Sequence, residues 1–359
     1  MKELIKKIVF AILFRMTIVR RRLNYAKKDL NDKSANIAFK KCSNEQYHRI
    51  KQFWGRYNIS PNLKWFDFFN TISLDAHKIE YYIPHDIFYS KIDIALSDSN
   101  AARYIDDKNL YDLVFYDIDQ PKTICRIEDG VLLNENYKFI TVDEAVKLCQ
   151  ESGTVIIKPS VNSEGGSGIR FWSKKEDGED VLMSILREKG HYIISSVVSQ
   201  SKTLKQIHEA SLNTIRIITL VHNNAVHILS HTLRMGVNGA KVDNAASGGI
   251  FCGIESSGKL KDVAYDSLGN VYNEHPQSGR FDNITIPNFE KCKDLVKGCA
   301  PRLSRISRLC SWDICLNEND QPMLIEVNMS FGDVQLHQIP NGPIFGEMTP
   351  EILDSIFKK

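Results

Sequence analysis

Three oxygen-bearing side chains near the carboxyl end of the chain are spaced so that they can meet on one face of a hairpin. Asp313 lies in one apolar run, and Glu326 and Asn328 lie in the next, with an Asn/Asp/Pro-rich connection between the runs. This pattern predicts a β-hairpin. Pairing Leu316 with Met323 sets Asp313 opposite Glu326 and leaves Asn328 on the same face. Two carboxylates and a carboxamide make an all-oxygen site that suits Mg²⁺; the alternative is a solvated hairpin face.

A lysine and a glycine-rich loop closer to the amino end predict a phosphate site. Lys158 ends an apolar run and is followed by Pro159. A lysine within an apolar strand needs an anionic partner, because burial penalises an unpaired charge. The loop that follows contains Ser163, Glu164, Gly165, Gly166, Ser167 and Gly168. Such a loop allows backbone N–H groups to converge on an anion, although a plain flexible turn has the same composition.

Two arginines lie within apolar segments that are predicted to form strands. The segments make a hairpin from Thr214 to Arg234 that turns at Asn223 and Asn224, and Arg216 lies in its first strand. Buried guanidinium groups bind carboxylates or phosphates as forks, so both arginines are candidate anion-binding residues. The alternative is that each belongs to a structural ion pair. None of the ten histidines lies beside a serine or cysteine in a nucleophile-elbow context, so a hydrolase triad is not indicated.

Basic residues are concentrated at the amino end of the chain. Residues 1–28 contain nine Lys or Arg and one acid, whereas the whole chain carries a formal charge of only +2. A general nucleic-acid-binding protein would be basic over its body as well, so nucleic acid is not a predicted partner. The apolar run Ile8–Phe14 is too short to cross a bilayer, which needs about 20 residues. We predict a basic amphipathic helix that lies on an anionic membrane surface or packs on its own domain or a second copy.

Cysteine usage indicates a reducing compartment. The eight cysteines form no CxxC pair and no Cys/His ligand spacing. Free thiols in the cytoplasm are therefore expected, and a zinc site is not.

Hydrophobic periodicity predicts a mixed α+β fold. Helices are predicted over Ala38–Tyr57, Asp106–Phe115, Thr141–Cys149 and 179–189, and strands over Thr154–Lys158, Gly168–Trp172 and Tyr192–Ser195. Thr141 is followed by Glu144 three residues later, which is the pattern of a capping box at a helix start.

The order of these features resembles the ATP-grasp superfamily over roughly residues 100–359. Within it, the sequence is most similar to the sugar-transfer-associated ATP-grasp proteins that are found with surface-polysaccharide genes. The motifs that carry the resemblance, besides Lys108, Lys158 and the glycine-rich loop, are Asn213-Thr-Ile-Arg216, Leu233-Arg-Met-Gly236, Asp243-Asn244 with Gly248-Gly249, His275-Pro276, Trp312-Asp313 and Glu326-Val-Asn328.

The resemblance implies an ATP-grasp fold, in which two α+β subdomains grip ATP, and a role for each matching residue. Lys108 and Lys158 would hold the α- and β-phosphates, and the loop from Ser163 to Gly168 would close over the β- and γ-phosphates. Asp313, Glu326 and Asn328 would bind two Mg²⁺ ions, and Arg234 or Arg216 would stabilise the reacting acyl group. The adenine hinge would consist of Ser195, Ser196 and Val197. The implied organisation is a basic helix (1–30), an accessory domain (31–104), a central subdomain (105–200) and a C-terminal catalytic subdomain (201–359).

The implied activity is ligation of a carboxylate to an amine through an acyl phosphate, on a sugar or polysaccharide precursor of the capsule or O-antigen type. The alternatives are a kinase of the same fold and a non-catalytic nucleotide-binding module. Family members often carry a glutamate at the adenine hinge, where this chain has serines. Relatives that ligate D-alanine carry an arginine at the position of Ser311, which argues against that substrate class. The expected location is the cytoplasm, at the inner face of the cell membrane if residues 1–28 bind lipid.

Overall fold

The computed structural model describes residues 2–72, 78–161 and 166–358, with side chains from Met16 onward except that of Tyr104. The α-helices are α1 (Lys2–Asn36), α2 (Asn44–Gly55), α3 (Leu63–Ile72), α4 (His85–Ile87), α5 (Asp93–Leu96), α6 (Ser99–Ile105), α7 (Tyr111–Val114), α8 (Val142–Ser152), α9 (Glu179–Leu186), α10 (Lys202–Ile207), α11 (Phe289–Leu303), α12 (Val334–Asn341) and α13 (Thr349–Phe357). The strands are β1 (Thr123–Glu128), β2 (Val131–Asn134), β3 (Thr154–Pro159), β4 (Arg170–Ser173), β5 (His191–Ser196), β6 (Thr214–His222), β7 (Ala225–Met235), β8 (Ile250–Ile254), β9 (Leu260–Tyr265), β10 (Val271–Tyr272), β11 (Glu274–His275), β12 (Gly279–Arg280), β13 (Leu309–Leu316) and β14 (Pro322–Asn328).

Two antiparallel sheets organise the described part of the chain. The smaller sheet has the order β2-β1-β5-β3-β4, and the larger has the order β10-β9-β8-β7-β6-β13-β14. Strands β11 and β12 form a separate short pair. Antiparallel sheets combined with helices confirm the predicted α+β class.

The larger sheet buries a different core on each face, because successive side chains of a strand point to opposite sides. On one face, Ile217 and Trp312 pack with Val296 of α11. On the other face, Ile218 and Leu220 pack with helices of the first hundred residues and with α12 and α13. Strand β13 is buried along its whole length because it lies between β6 and β14 and under α11.

The smaller sheet has a core of its own with α8 and α9. Trp172 of β4 is fully buried there and its indole N–H donates to the Gly178 carbonyl. The capping box predicted at Thr141 is present: its hydroxyl accepts from the Glu144 backbone N–H, and the Glu144 carboxylate accepts from the Thr141 N–H. These local signals fix where α8 begins.

The second half of α1 packs on the body of the protein. Ala26, Leu30 and Lys33 are buried, and the Lys33 ammonium donates to the Ser267 carbonyl at 2.7 Å. The same stretch leaves Tyr25 half exposed. For these residues, the alternative in which the helix packs on its own domain is therefore correct. No helix in the described ranges combines the length and the apolar character needed to cross a membrane.

Two predicted helices differ from the structure. The segment predicted as one helix from Asp106 to Phe115 is a 3-10 turn, Lys108–Leu110, followed by the single turn of α7. Asp107 accepts from the Asn109 N–H at 3.0 Å, and this local bond competes with a regular helix. The helix predicted from Ala38 begins only at α2, because Ser43 forms a capping box with Gln46.

Candidate functional site

The carboxylate pair predicted from the hairpin pattern is present, but a bulge aligns it. Asp313 of β13 lies directly opposite Glu326 of β14, as predicted. The predicted pairing of Leu316 with Met323 is wrong, because Leu316 lies opposite Pro322. The register shifts by one residue between Asp313 and Ile314, so Ile325 is an extra residue in β14. This bulge brings Glu326, rather than Ile325, opposite Asp313.

Arginines offset the charge of Asp313. The Arg216 fork donates from Nε and Nη2 to the two Asp313 oxygens, both at 2.6 Å, and Arg234 Nη1 donates to Oδ2 at 3.0 Å. Burial would raise the pKa of Asp313, but the two guanidinium groups hold it at about 2. Arg216 and Arg234 at Asp313, and Lys108 at Glu326, therefore offset the repulsion between the two carboxylates.

A second carboxylate completes the surroundings of Arg234. Its Nη2 donates to Asp243 at 2.7 Å, and the other Asp243 oxygen accepts from the Thr214 backbone N–H at 3.0 Å and from the Thr214 hydroxyl. The loop that carries Asp243 closes on Gly249, where a Cβ would lie 2.5 Å from the Asp243 carbonyl oxygen. Only glycine fits there, and this explains the Gly248-Gly249 motif in physical terms. Asp243 belongs to one of the motifs that carry the family resemblance, but its role as an arginine partner is not predicted from the sequence.

Lys108 joins the two sheets. Its backbone N–H donates to the Ser160 carbonyl at the end of β3, and its ammonium lies 3.0 Å from the Glu326 carboxylate. The neighbouring Tyr111 hydroxyl donates to the Val327 carbonyl at 3.3 Å. The segment that carries Lys108 is therefore held against both the small sheet and β14.

Lys158 extends from the small sheet into the same region. Burial lowers its pKa, and Glu326 opposes that effect while Lys108 adds to it. The charged form of Lys158 therefore costs free energy and would be favoured by an additional anion. Lys108, Lys158, Arg216 and Arg234 thus surround Asp313 and Glu326 from both sheets.

The remaining predicted nucleotide residues are partly described. Ser163, Glu164 and Gly165 lie outside the described residues. Gly166 and Gly168 have left-handed backbones, with φ of 76° and 77°, and the intervening Ser167 is exposed. A Cβ on Gly166 would lie 3.2 Å from Val242, so the loop adjoins the segment that leads to Asp243.

The predicted hinge lies at the end of β5. Ser195 is buried, Ser196 is half buried and its N–H donates to the Lys122 carbonyl, and Val197 is exposed. Ser195 and Ser196 pair with the start of β3, whereas the Lys108 N–H bonds to Ser160 beyond the end of β3, so the predicted hinge and Lys108 lie at opposite ends of these two strands.

The oxygen atoms of Asp313, Glu326 and Asn328 fit a hard cation such as Mg²⁺, which binds through few protein oxygens and several phosphate or water oxygens. The Nδ2 of Asn328 has no hydrogen-bond partner within the described chain. No group of three or more His, Cys, Asp or Glu side chains that could hold a metal occurs among the residues described. The site therefore suits a cation that arrives with a polyphosphate better than a cation held by protein alone.

Several solved structures of ATP-grasp enzymes resemble part of this chain. D-alanyl-alanine synthetase A from Vibrio cholerae O1 biovar eltor is 13% identical with a TM-score of 0.39, and the match covers 72% of this chain and 62% of that one. The ATP-grasp ligase PsnB, complexed with a minimal precursor, Mg and ADP, is 12% identical with a TM-score of 0.41, covering 74% and 62%. D-cycloserine synthetase DcsG is 10% identical with a TM-score of 0.44, covering 72% and 73%. The chain thus spans less than two thirds of the first two proteins.

No curated protein matches the sequence. The model of the family described as sugar-transfer associated ATP-grasp matches residues 93–352, which is well over half of the chain. The match includes both sheets and all the cations and carboxylates described above, and it confirms the ATP-grasp fold and the predicted resemblance. The chain therefore belongs to the sugar-transfer associated ATP-grasp family.

Proposed function

We propose that this protein is an ATP- and Mg²⁺-dependent ligase that joins a carboxylate to an amine through an acyl phosphate. The observation that carries the proposal is the arrangement of four cations from both sheets around the Asp313–Glu326 pair. The family membership supports the same activity. The acceptor or donor would be a sugar or polysaccharide precursor, as the family description suggests.

The ion pairs of the site would allow exchange upon nucleotide binding. Lys108 lies 3.0 Å from Glu326, and Lys158 is a half-buried cation whose charged form is disfavoured. Triphosphate would give both lysines new anionic partners, and Glu326 would then be available to a cation. Asp313, Glu326 and Asn328 would hold up to two Mg²⁺ ions. Bound Mg²⁺ supplies charge neutralisation at the transferring phosphoryl group.

The proposed reaction has two steps. A carboxylate oxygen of the substrate attacks the γ-phosphorus of ATP, the bond to the β,γ-bridging oxygen breaks, and ADP leaves. The amine then attacks the acyl carbon, phosphate leaves with the electron pair, and the amine loses a proton. The arginines retain N–H groups that Asp313 and Asp243 do not use, so Arg234 or Arg216 would donate to the acyl phosphate and the developing oxyanion.

The test is a screen of amino acids and uronic acids, singly and in pairs, for carboxylate-stimulated ADP release. A ligase releases ADP and phosphate in equal amounts once both substrates are present. A stable phosphorylated product with no free phosphate would instead identify a kinase of the same fold. Glu326→Gln should abolish the stimulated release while leaving the circular dichroism spectrum unchanged, because Glu326 is partly exposed and its role is electrostatic. Full turnover in this variant would contradict the proposed site.

A further inference from the structure

Three hydrogen-bond donors beside the arginine–aspartate network have no partner within the described protein. They are the Nε–H of Arg234, the hydroxyl of Thr232 and Nε2 of His337. Thr232 and His337 are fully buried, and Arg234 is 7% exposed. Buried polar groups are nearly always paired, so such a cluster needs an explanation. None of these groups is used in the ion pairs described above, since Arg234 contacts its aspartates through Nη1 and Nη2.

The strand register places these groups on one face of the large sheet. Thr232 lies opposite Arg216, which in turn lies opposite Asp313. Arg234 is two residues from Thr232 on β7 and therefore shares its face. His337 of α12 packs over the same strand, where its Nδ1 lies 3.0 Å from the Ser230 hydroxyl.

Hydrogen bonding at Ser230 favours one tautomer of His337. The Ser230 oxygen accepts from Asn341 Nδ2 at 2.9 Å, and the described acceptor within reach of the Ser230 hydrogen is His337 Nδ1. We therefore assign the imidazole proton to Nε2, because Nδ1 then accepts the Ser230 hydrogen and leaves no polar atom of Ser230 without a partner. Burial, together with Arg216, lowers the pKa of His337 well below 6.5, in agreement with a neutral ring. Its Nε2–H is thus a neutral donor, like the Thr232 hydroxyl.

The charge balance around the donors favours a singly charged ligand. Arg216 and Arg234 are matched by Asp313 and Asp243, so the region has no surplus positive charge. Lys108 and Lys158 share the single carboxylate of Glu326, so the net positive charge lies there and suits the phosphates of the nucleotide. Two neutral donors and one guanidinium whose charge is already matched by aspartates suit a carboxylate better than a phosphate dianion.

We propose that His337, Thr232 and the Nε–H of Arg234 form the binding site for the carboxylate of the second substrate, an acidic small molecule that lies along β7. This inference rests on the proposed ligase function, because only that function makes the bound acid a substrate. Binding of the acid at these residues does not depend on turnover.

The direct test uses formate, the smallest carboxylate, as the probe and chloride as the matched salt. In ¹⁵N-histidine-labelled protein, the His337 ring signals are assigned by their absence in His337→Phe. Formate should shift the His337 Nε2 signal saturably, and chloride should not. Thr232→Val is close to the same shape and should weaken formate binding about tenfold, the usual effect of removing one hydrogen bond to a charged group. If His337→Phe does not fold, Thr232→Val still tests the site.

His231→Phe is the matched control. Like His337, His231 is a poorly exposed histidine with a lowered pKa. It lies on β7 and points to the opposite face, where it packs edge-on against Phe289 with ring centroids 5.0 Å apart. This variant should bind formate as the wild type does. If formate shifts the His337 signal no more than chloride does at the same concentration, the donors serve structure alone and the proposal fails. Tighter binding of inorganic phosphate than of formate at these donors would refute the carboxylate assignment.

Kinetics separate this inference from the proposed function. With a carboxylate that stimulates ADP release, Thr232→Val should raise the KM for that acid about tenfold and change the KM for ATP by less than about twofold. An equal rise in both constants would refute a carboxylate-specific role. If no carboxylate stimulates ADP release but formate still shifts His337, the ligase proposal fails and the carboxylate site stands.

Discussion

Lys158 has a charge that burial disfavours, so its value to the protein lies in binding rather than in stability. Its pKa is lowered in the folded state, mainly by burial. The unfolded chain therefore binds the Lys158 proton more strongly than the folded protein does. The destabilisation caused by this charge is lost as pH rises toward the ordinary lysine range, so the free energy of unfolding increases over that range. A half-buried lysine whose charge is disfavoured in this way is typical of a site that binds an anion.

We predict that Lys158→Met leaves the melting temperature unchanged or raises it and weakens ATP binding by roughly 10- to 100-fold. The stability follows from removal of a desolvated charge, and the affinity loss from removal of a charge-assisted contact to phosphate. Differential scanning fluorimetry and titration calorimetry measure the two effects. Lys205→Met, on an exposed surface pair with Glu209, is the control. Normal ATP affinity in Lys158→Met would move the nucleotide site elsewhere.

Asp313 and Glu326 face each other, yet their substitution should affect stability differently. Asp313 is buried and neutralises two arginines, whereas Glu326 is partly exposed and pairs with one lysine. Asp313→Asn leaves two buried cations poorly compensated and should cost about 3–5 kcal/mol of unfolding free energy at pH 7. Glu326→Gln should cost less than about 1 kcal/mol. Urea unfolding of both variants measures the difference, and equal costs would contradict the described network.

The acid dependence of the Asp313 effect has a definite sign. The folded pKa of Asp313 is about 2, below its ordinary value of 3.8. The ionised Asp313 therefore stabilises the folded protein fully well above pH 4, and this contribution to the free energy of unfolding is lost as pH falls toward 2. The stability gap between wild type and Asp313→Asn should narrow over that window.

The carboxylate pair could be predicted from sequence and His337 could not. The one-residue error in the turn would have placed Ile325 opposite Asp313, and the bulge at Ile325 cancels that error, so the predicted pairing of Asp313 with Glu326 is correct. His337 lies in the short helix α12, whose buried polar residues Gln335 and Gln338 break the usual amphipathic pattern. Its relevance arises from the packing of α12 on β7, which no local pattern encodes.

Two strand bulges change the register that uninterrupted hairpins would have. The turn at Asn223 and Asn224 is present, with both residues in left-handed conformation. Continued without interruption, it would pair Arg216 with His231, but an extra residue, Leu229, moves Thr232 into that place. Together with Ile325 in β14, such bulges decide which side chains face the site, and they carry no reliable sequence signal.

Helix α1 is an element whose role differs from one half to the other. Arg22 is 1% exposed and lies 2.7 Å from the buried Asp93. It donates to the Ser330 hydroxyl at 2.9 Å and stacks 4.2 Å from the ring centre of Phe331. Ser330 lies two residues after Asn328, so α1 supports the segment that leaves the candidate metal site. Phe331 has a φ of 60°, a conformation that needs such support.

We predict that Arg22→Met lowers the free energy of unfolding by about 3–5 kcal/mol, because it leaves Asp93 buried without its cation. Arg21→Met, at an exposed neighbouring position, should change it by less than about 0.5 kcal/mol. Chemical denaturation of the two variants measures the contrast. Identical unfolding curves would show that the Arg22–Asp93 pair does not hold α1 to the body.

For the whole molecule, we propose that the first part of α1 places the enzyme at an anionic membrane surface. Arg20, Arg21 and Lys27 are exposed, so the described part of the helix adds positive charge to that of residues 2–15. Removing residues 1–28, the obvious experiment from sequence, would also remove the buried Arg22 and Ala26. The structure therefore indicates a shorter deletion.

A variant without residues 2–15 should remain folded and lose most of its binding to anionic vesicles. The deletion removes Lys2, Lys6, Lys7, Arg15 and one acid, worth roughly 3–4 kcal/mol near an anionic surface. Co-sedimentation with phosphatidylserine-containing vesicles, at low and high salt and against neutral vesicles, measures the effect. Unchanged sedimentation of the shortened protein would refute membrane binding by this segment. A change in its oligomeric state would show that the segment packs on a second copy.

The contact between Arg22 and Ser330 also bears on the order in which the chain folds during synthesis. The two residues are 308 positions apart, so α1 is synthesised long before Ser330. At 5–20 residues per second, that interval is roughly 15–60 seconds. The earlier partners of Arg22, the Tyr89 carbonyl and the Asp93 carboxylate, are synthesised within the first quarter of the interval. We therefore expect α1 to dock first on the segment around Asp93, and the segment that follows the candidate metal site to join this contact last.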